Sequence, residues 1–377
     1  MLKRVVCFLL MLSLFSSVNT KAKDINSLTS PSAILLDGYT GKVLFEKEPD
    51  KKLPPASVTK IMTMLLVMEA IDRGQISLDD VVTVSENAAK KEGSHIFLAP
   101  NEQMSVRDLM KGVAVASGND ASIALGEYLA GSHEKFVEKM NSRAKELGMT
   151  NTHFVNCNGL DADGHLTTAR DIGIMTVELL KHPKIFEFTT IWTDTLRNGT
   201  FDLANTNKLI RFYDGANGMK TGSTSKAGCC ISATALRDGM QLVAVIMGAP
   251  NSKERFSDAS TLLNYGFGSF ENRVLGKADK VYKHLEVNKG VNQTVSVKQK
   301  NDFSAVIPKG KGGEITSKET LPEIVESPIK KGQKIGDISF FAGSEKLGSV
   351  DLIADEDVEK IGFLFAFKKL ILSFVSL

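Results

Sequence analysis

Three short runs in this sequence combine residue types that do chemistry: Ser57-Val58-Thr59-Lys60, Ser117-Gly118-Asn119 and Lys220-Thr221-Gly222. A serine hydroxyl is a weak nucleophile until a base takes its proton, and lysine is that base only if its pKa comes down towards neutrality. The spacing of Ser57 and Lys60 places both side chains on one face of a helix. The positive end of that helix and a second cation nearby would each push the lysine in the required direction. Ser117 is suited to relaying a proton to a leaving amine, and Asn119 to holding a substrate amide. Lys220 and Thr221 suit a substrate carboxylate, while Gly222 lets a substrate backbone approach closely.

Each run has a plain structural explanation when taken alone. S-x-x-K also begins at Ser132, Ser142, Ser223 and Ser327, and S-x-N at Ser17 and Ser85. Ser57 could be an N-cap, Ser117-Gly118-Asn119 a capping turn, and Lys220-Thr221-Gly222 a glycine turn with a solvated lysine. An N-cap at Ser57, however, requires neither Lys60 nor the two later runs.

The elements that would position these residues follow from periodicity. Ala33–Asp37 and Val43–Glu46 around a Gly-containing turn read as a β-hairpin, and Ser57 to Arg73 as a helix ended by Gly74. A mainly helical middle follows, with helices expected over Val106–Ala116, Ala121–Leu129 and Glu134–Leu147. Lys226–Arg237 and Met240–Gly248 flank Asp238-Gly239, a strong hairpin signal, and Lys220-Thr221-Gly222 is expected just before that hairpin. A helix over Ser252–Tyr265 closes the region. Strands at both ends with helices between predict an α+β domain over 25–270, its outer strands drawn from opposite ends of the segment.

Beyond it, alternating stretches at Val281–Val287, Thr294–Lys298, Phe303–Ile307 and Ile335–Phe341 predict a small all-β domain over 276–355. The tail from 358 to 377 places Phe363, Phe367, Leu370, Phe374 and Leu377 on one helical face. It is expected to be an amphipathic helix lying on a membrane surface. At the other end, Lys3-Arg4, an apolar run from Val5 to Phe15 and the small residues before Ala22 have the layout of a secretory signal peptide over 1–22. The chain is therefore expected to be exported and held at the outer face of the cytoplasmic membrane.

Bulk properties narrow the partners. A formal net charge of +2 over 377 residues gives no electrostatic reason to expect nucleic acid. The six histidines form no HExxH and no Cys/His pairing, so neither metal nor cofactor is expected. Cys229 and Cys230 are adjacent and expected to point to opposite faces of a strand; a bond from Cys157 to either is possible but unsupported.

As an ordered set the three runs match the S-x-x-K, S-D-N and K-T-G signature of class A β-lactamases and penicillin-binding proteins. The resemblance extends further, to Leu35-Leu36-Asp37, Pro55-Ala56, Asp120-Ala121, Asn151-Thr152-His153-Phe154, Gly159-Leu160-Asp161 and Gly218-Met219. Over 25–270 the chain resembles a low-molecular-weight penicillin-binding protein of the serine D-alanyl-D-alanine carboxypeptidase family. The resemblance implies a β-lactamase/transpeptidase-like fold, an antiparallel sheet with helices on both sides.

It also implies roles, carried residue by residue. Ser57 would be the acyl-ester nucleophile, Lys60 its proton acceptor, and Ser117 with Asn119 the second catalytic element. Lys220, Thr221, Gly222 and Ser223 would bind substrate, and the backbone N–H groups of Ser57 and Ser223 would form the oxyanion hole. The implied substrate is a peptidoglycan stem peptide ending in D-Ala-D-Ala, with β-lactams as covalent inhibitors. Gly118 stands where β-lactamases have Asp, and Ser223 where some relatives have His. No Glu-x-x-Leu-Asn segment follows Ser117, which disfavours a β-lactamase. A DD-endopeptidase or transpeptidase on the same residues stays open, as does a catalytically inactive cell-wall scaffold.

Overall fold

The computed structural model describes residues 24–278, 280–310, 315–363 and 365. These divide into two compact units, one built from residues up to Ala235 with Leu242–Tyr265, the other from Leu236–Gln241 and the chain beyond Gly266. The signal peptide expected over 1–22 lies outside the described residues.

The first unit is organised around a five-stranded sheet. We label its strands β1 (Ser32–Asp37), β2 (Val43–Lys47), β3 (Ala216–Thr224), β4 (Gly228–Arg237) and β5 (Met240–Ala249); their order is β2-β1-β5-β4-β3. The edges come from opposite ends of the segment, as the pattern predicts. On β1 and β5, Ile34, Leu36, Val243, Val245 and Met247 join the main helical core, while Ala33, Leu35, Leu242, Ala244 and Ile246 are buried on the opposite face. The two-residue period therefore buries both sides of the sheet, which explains why these strands read as continuous apolar runs.

Helix α1 (Lys60–Asp72) buries every residue from Lys60 to Ile71, so it runs through the core. It begins later than expected, because Ala56–Thr59 forms a 3-10 turn in front of it, and Ser57 sits in that turn instead of capping the helix. Around it lie α2 (Val106–Ala114), α3 (Asn119–Ala130), α4 (His133–Glu146) and α5 (Ala169–Leu180). Ser105, Ser132 and Thr168 cap α2, α4 and α5 by accepting the N–H three residues on. α2 stops at Ala114, short of the expected Ala116, and the chain then turns through Ser117 at φ 65°.

Two further expectations change. Lys220-Thr221-Gly222 lies inside β3, fully paired with β4, and not in a turn before the hairpin. A strand with two glycines, a lysine and two threonines carries no alternation to read. Cys230 is buried but Cys229 only half-buried, and Cys157, Cys229 and Cys230 are all free thiols.

In the second unit, a six-stranded sheet runs in the order Ile315–Thr320, Lys334–Ala342, Glu345–Ala354, Thr294–Gln299, Val281–Asn288, Ile324–Glu326. Phe270–Gly276 pairs separately with Phe303–Pro308. Leu285, Val295, Val297, Ile338, Phe340 and Leu352 form its core. The amphipathic helix expected from 358 does not begin there, because Val358 and Lys360 are tied into β-bridges with Ile329 and Gly290. The tail from 366 to 377 lies outside the described residues.

One ion network fastens three helices. Arg143 on α4 donates to Glu69 on α1 at 2.8 Å and to Glu178 on α5 at 2.9 Å, and Glu69 is 7% exposed. Removing the guanidinium leaves the buried Glu69 carboxylate with only the more distant Arg73, 3.6 Å away. Arg143→Met should destabilise the first unit by on the order of 2 kcal/mol, read as a drop of several degrees in its thermal midpoint. An unchanged midpoint would show that the network adds nothing.

Candidate active site

Lys60 opens α1 with its side chain fully buried. Its Nζ donates to Ser57 Oγ at 2.9 Å, to Asn119 Oδ1 at 2.6 Å and to the carbonyl of Asn158 at 2.6 Å. Three acceptors account for the three protons of an ammonium. None of the three is a carboxylate, so nothing in direct contact compensates a buried positive charge. Burial pushes the Lys60 amine down from 10.5 to about 7, opposed by Cys157 and Asp120. Burial also raises the Cys157 thiol, to about 11. That thiol is uncharged at neutral pH, which leaves Asp120 as the working counterweight.

Asn119 is itself held by a loop. Its N–H donates to the Ser94 carbonyl and its Nδ2 to the Glu92 carbonyl, both at 2.6 Å, which turns Oδ1 towards Lys60. The neighbouring Asp120 carboxylate accepts the N–H groups of Ile96 at 3.0 Å and Leu98 at 3.1 Å, binding the same loop to the start of α3.

The third run approaches from β3. A Cβ on Gly222 would lie 2.7 Å from the backbone nitrogen of Ser57, so only glycine brings the strand this close to the 3-10 turn. Lys220 is buried, its Nζ donates to the Thr221 carbonyl at 2.9 Å, and burial, Lys60 and Arg255 hold its amine well below the usual lysine range. Thr221 donates its hydroxyl to Thr206 at 2.7 Å. Arg255, near the start of helix α6 (Ser252–Ser269), donates to the Gly222 carbonyl at 3.1 Å and to Ser252 Oγ at 3.1 Å.

The structure thus joins Ser57, Lys60 and Asn119 by hydrogen bonds and sets Gly222 against the Ser57 nitrogen. Ser117 is buried beside them, but its hydroxyl bonds to no other described residue. Ser223 faces outward, its Oγ 3.6 Å from Cys229 Sγ. A serine hydroxyl 2.9 Å from an amine that titrates near 7 is equipped for acyl transfer.

Four contributors escaped the sequence reading: the Asn158 carbonyl, the Glu92–Ser94 carbonyls, Thr206 and Arg255. The first two act through backbone oxygens, which leave no residue-type signal. Asn158-Gly159 carried one usable clue. A Cβ on Gly159, at φ 88°, would lie 2.0 Å from the Ala56 carbonyl oxygen, so the glycine marks a backbone crossing beside the nucleophile turn.

The chain is similar to known proteins in sequence and in structure. A family model described as D-alanyl-D-alanine carboxypeptidase matches residues 17–251, and one described as penicillin-binding protein 5, C-terminal domain, matches 270–360. The D-alanyl-D-alanine carboxypeptidase DacF of Bacillus subtilis is 42% identical over 342 residues, 90% of this chain and 88% of that protein. Penicillin-binding protein 5 from Haemophilus influenzae is similar in structure, with a TM-score of 0.75 and 33% identity over 88% of this chain and 98% of that one. Penicillin-binding protein D2 from Listeria monocytogenes, solved in its ampicillin-bound form, matches at a TM-score of 0.59 and 34% identity, covering 64% of this chain and 98% of its own.

The Gly159 crossing gives a prediction with an internal control. Gly159→Ala must displace the Ala56–Ser57 peptide, and a shift of about 1 Å at a reacting group lowers rates by roughly 10²-fold. Gly164 also has positive φ, at 80°, but a Cβ there meets nothing within 4 Å. Gly164→Ala should therefore cost only about 1 kcal/mol of backbone strain and leave Ser57 reactivity intact. Acylation rates of the two variants, normalised to folded protein, check this; equal rates would remove the crossing from the mechanism.

Proposed function

Because this chain belongs to the D-alanyl-D-alanine carboxypeptidase family, we propose that it removes the terminal D-alanine from peptidoglycan stem pentapeptides through an ester on Ser57. The observation that carries this reading is the 2.9 Å contact between Ser57 Oγ and a Lys60 amine lowered to about 7.

In its neutral form the Lys60 nitrogen has a lone pair facing the Ser57 hydroxyl. It takes the hydroxyl proton as Oγ bonds to the carbonyl carbon of the penultimate D-alanine, and the carbonyl electron pair moves onto oxygen. The backbone N–H groups of Ser57 and Ser223 receive that oxyanion. The C–N bond then breaks, the terminal D-alanine leaves with the proton on its amine, and Ser117 is assigned to hand it over. Water then cleaves the ester. Asn119 holds the substrate amide, while Lys220, Thr221 and Gly222 hold the terminal carboxylate, whose negative charge restores the suppressed charge on Lys220.

The ampicillin-bound relative supports β-lactam binding, and the same mechanism makes Ser57 the residue a β-lactam would acylate. The chemistry is assigned to 25–270, and no reacting residue to 276–355. Peptidoglycan as substrate puts the enzyme outside the cytoplasm. Export by 1–22 and attachment by the part of 358–377 that follows the β-bridges of Val358 and Lys360 would hold it on the outer face of the membrane. Among the described residues no helix is long and apolar enough to cross a bilayer.

Two measurements test the reading. Labelled penicillin should attach covalently, a peptide ending in D-Ala-D-Ala should lose D-alanine, and Ser57→Ala should abolish both. Labelling without D-alanine release would move the reaction towards transpeptidation; no labelling of folded protein would end the serine-acyl reading. The pH dependence follows from Lys60, which is a base only when neutral. Since its pKa is about 7, acylation should be constant above that pH and fall about tenfold per unit below it. Lys60→Arg, charged at every accessible pH, should lose about 10³-fold. A flat profile between pH 5 and 8 would exclude Lys60 as the base.

A further inference from the structure

Against the 3-10 turn that carries Ser57 runs a buried polar chain that the reaction above does not use. It starts at the N–H of Val155, which donates to Nδ1 of His165 at 2.9 Å. The other ring nitrogen, Nε2, is 2.9 Å from Thr59 Oγ1, and Thr59 Oγ1 is 2.8 Å from the carbonyl oxygen of Ala56. Both side chains are buried, His165 at 1% exposure.

The direction of each bond is fixed by counting protons. A backbone N–H can only donate, so Nδ1 accepts, and the neutral ring carries its proton on Nε2. Nε2–H therefore donates to the Thr59 hydroxyl. That hydroxyl has a single proton of its own and gives it to the Ala56 carbonyl. A doubly protonated ring would set an N–H against the Val155 N–H. Burial, with a smaller contribution from His153 and opposed by Asp161, keeps the ring neutral, lowering it to about 4.

The carbonyl at the end of this chain belongs to the peptide group that carries the Ser57 N–H. A trans peptide is planar, with its C=O and N–H pointing in opposite directions. Fixing the Ala56 oxygen therefore fixes the direction of the Ser57 hydrogen. Besides the backbone of its own 3-10 turn, the flanking segments offer this group no side chain, because both present glycine, Gly159 against the Ala56 oxygen and Gly222 against the Ser57 nitrogen. Ala56 also holds φ at 50°, a region that a residue with a Cβ occupies only when its surroundings impose it.

We propose that His165, acting through Thr59, is a positioning residue that aims the Ser57 backbone N–H at the oxyanion. The proposal rests on the assignment of Ser57 as the acyl-ester nucleophile. It predicts an effect felt in the transition state and not in ground-state binding, since the oxyanion exists only there.

The test uses the whole purified protein with four substitutions, scoring kcat and KM for a D-Ala-D-Ala peptide, penicillin acylation rate and thermal midpoint. His165→Leu removes both ring contacts and should lower kcat and the acylation rate by about 10–10²-fold, with KM within about twofold of the parent. Glutamine offers an acceptor and a donor on one short side chain, so His165→Gln should recover most of the lost rate. Thr59→Val breaks the chain at its middle, should reproduce the loss seen in His165→Leu, and serves in its place if that variant fails to fold. Thr59→Ser should restore the rate. Folded Thr59→Val or His165→Leu protein acylating within threefold of the parent would overturn the proposal. So would a glutamine variant as slow as the leucine one, or a loss confined to KM. Ser57→Ala run alongside separates the two readings: persistent labelling there defeats the nucleophile assignment, whatever the His165 variants do.

Discussion

The site depends on an amine that is buried without a counter-ion in contact. Withdrawing an ammonium from water into an interior costs several kcal/mol unless charge is returned to it. Around Lys60 what is returned is dipolar: a serine hydroxyl, an amide oxygen and a backbone carbonyl. These satisfy its hydrogen bonds without paying the electrostatic cost, so the neutral amine becomes accessible near pH 7. The identity of Asn119 matters in this respect. Aspartate would fit the same space and accept the same bond, but its charge would raise the lysine and keep its lone pair occupied by a proton. Asp120, one residue on, points its carboxylate into the N–H groups of Ile96 and Leu98 and acts on Lys60 only at a distance.

The fold follows from having to hold that amine still. A lysine at the first turn of a helix on the protein surface would swing into water. α1 is buried from Lys60 to Ile71, so its first residue is buried as well. Three separate backbones then converge on it: the 3-10 turn with Ser57, the Asn158–Gly159 crossing and β3. Gly159 and Gly222 permit that convergence, and Arg255 pins the Gly222 carbonyl from outside. Positive φ values at Ala56 and Ser117 mark where the chain is bent to present a side chain or a peptide group. Such strain persists only where packing over-determines the conformation, as it does here.

These facts account for what could be read in the sequence. Ser57, Lys60, Asn119 and Lys220 were legible because their side-chain chemistry is rare in combination, and the order of the three runs excluded their competitors. The hairpin ending in Asp238-Gly239 and the central helices were legible from turn chemistry and period. β3 was not, because a strand that packs against the Ser57 turn carries glycines and a lysine where an ordinary strand alternates. The helix after Ser105 was read two residues too long, since Val115 and Ala116 continue the apolar period while the backbone has already turned. The Asn158 carbonyl could not have been found at all from residue type. The role argued for His165 was equally hidden, because a lone histidine between Gly164 and Leu166 has no pattern.

Two lysines in one small site would ordinarily be a defect, and their joint behaviour shows why both are kept. Burial disfavours charge on each, and Lys60 and Arg255 add to the effect at Lys220. A substrate carboxylate arriving at Lys220 reverses the balance for that residue alone, because an adjacent anion favours its charged form. Coupling between the two amines is reciprocal, so a charged Lys220 favours the neutral form of Lys60 to the extent that the bound carboxylate does not cancel its field. On this reading the base is most available when the substrate's terminal carboxylate is in place, and less so when the site holds water. A peptide amidated at its C-terminus would lose contacts and would also fail to create the electrostatic condition under which Ser57 can be deprotonated. Selectivity for a free terminal carboxylate is then built into the activation of the nucleophile, which a uniform gain in binding could not supply.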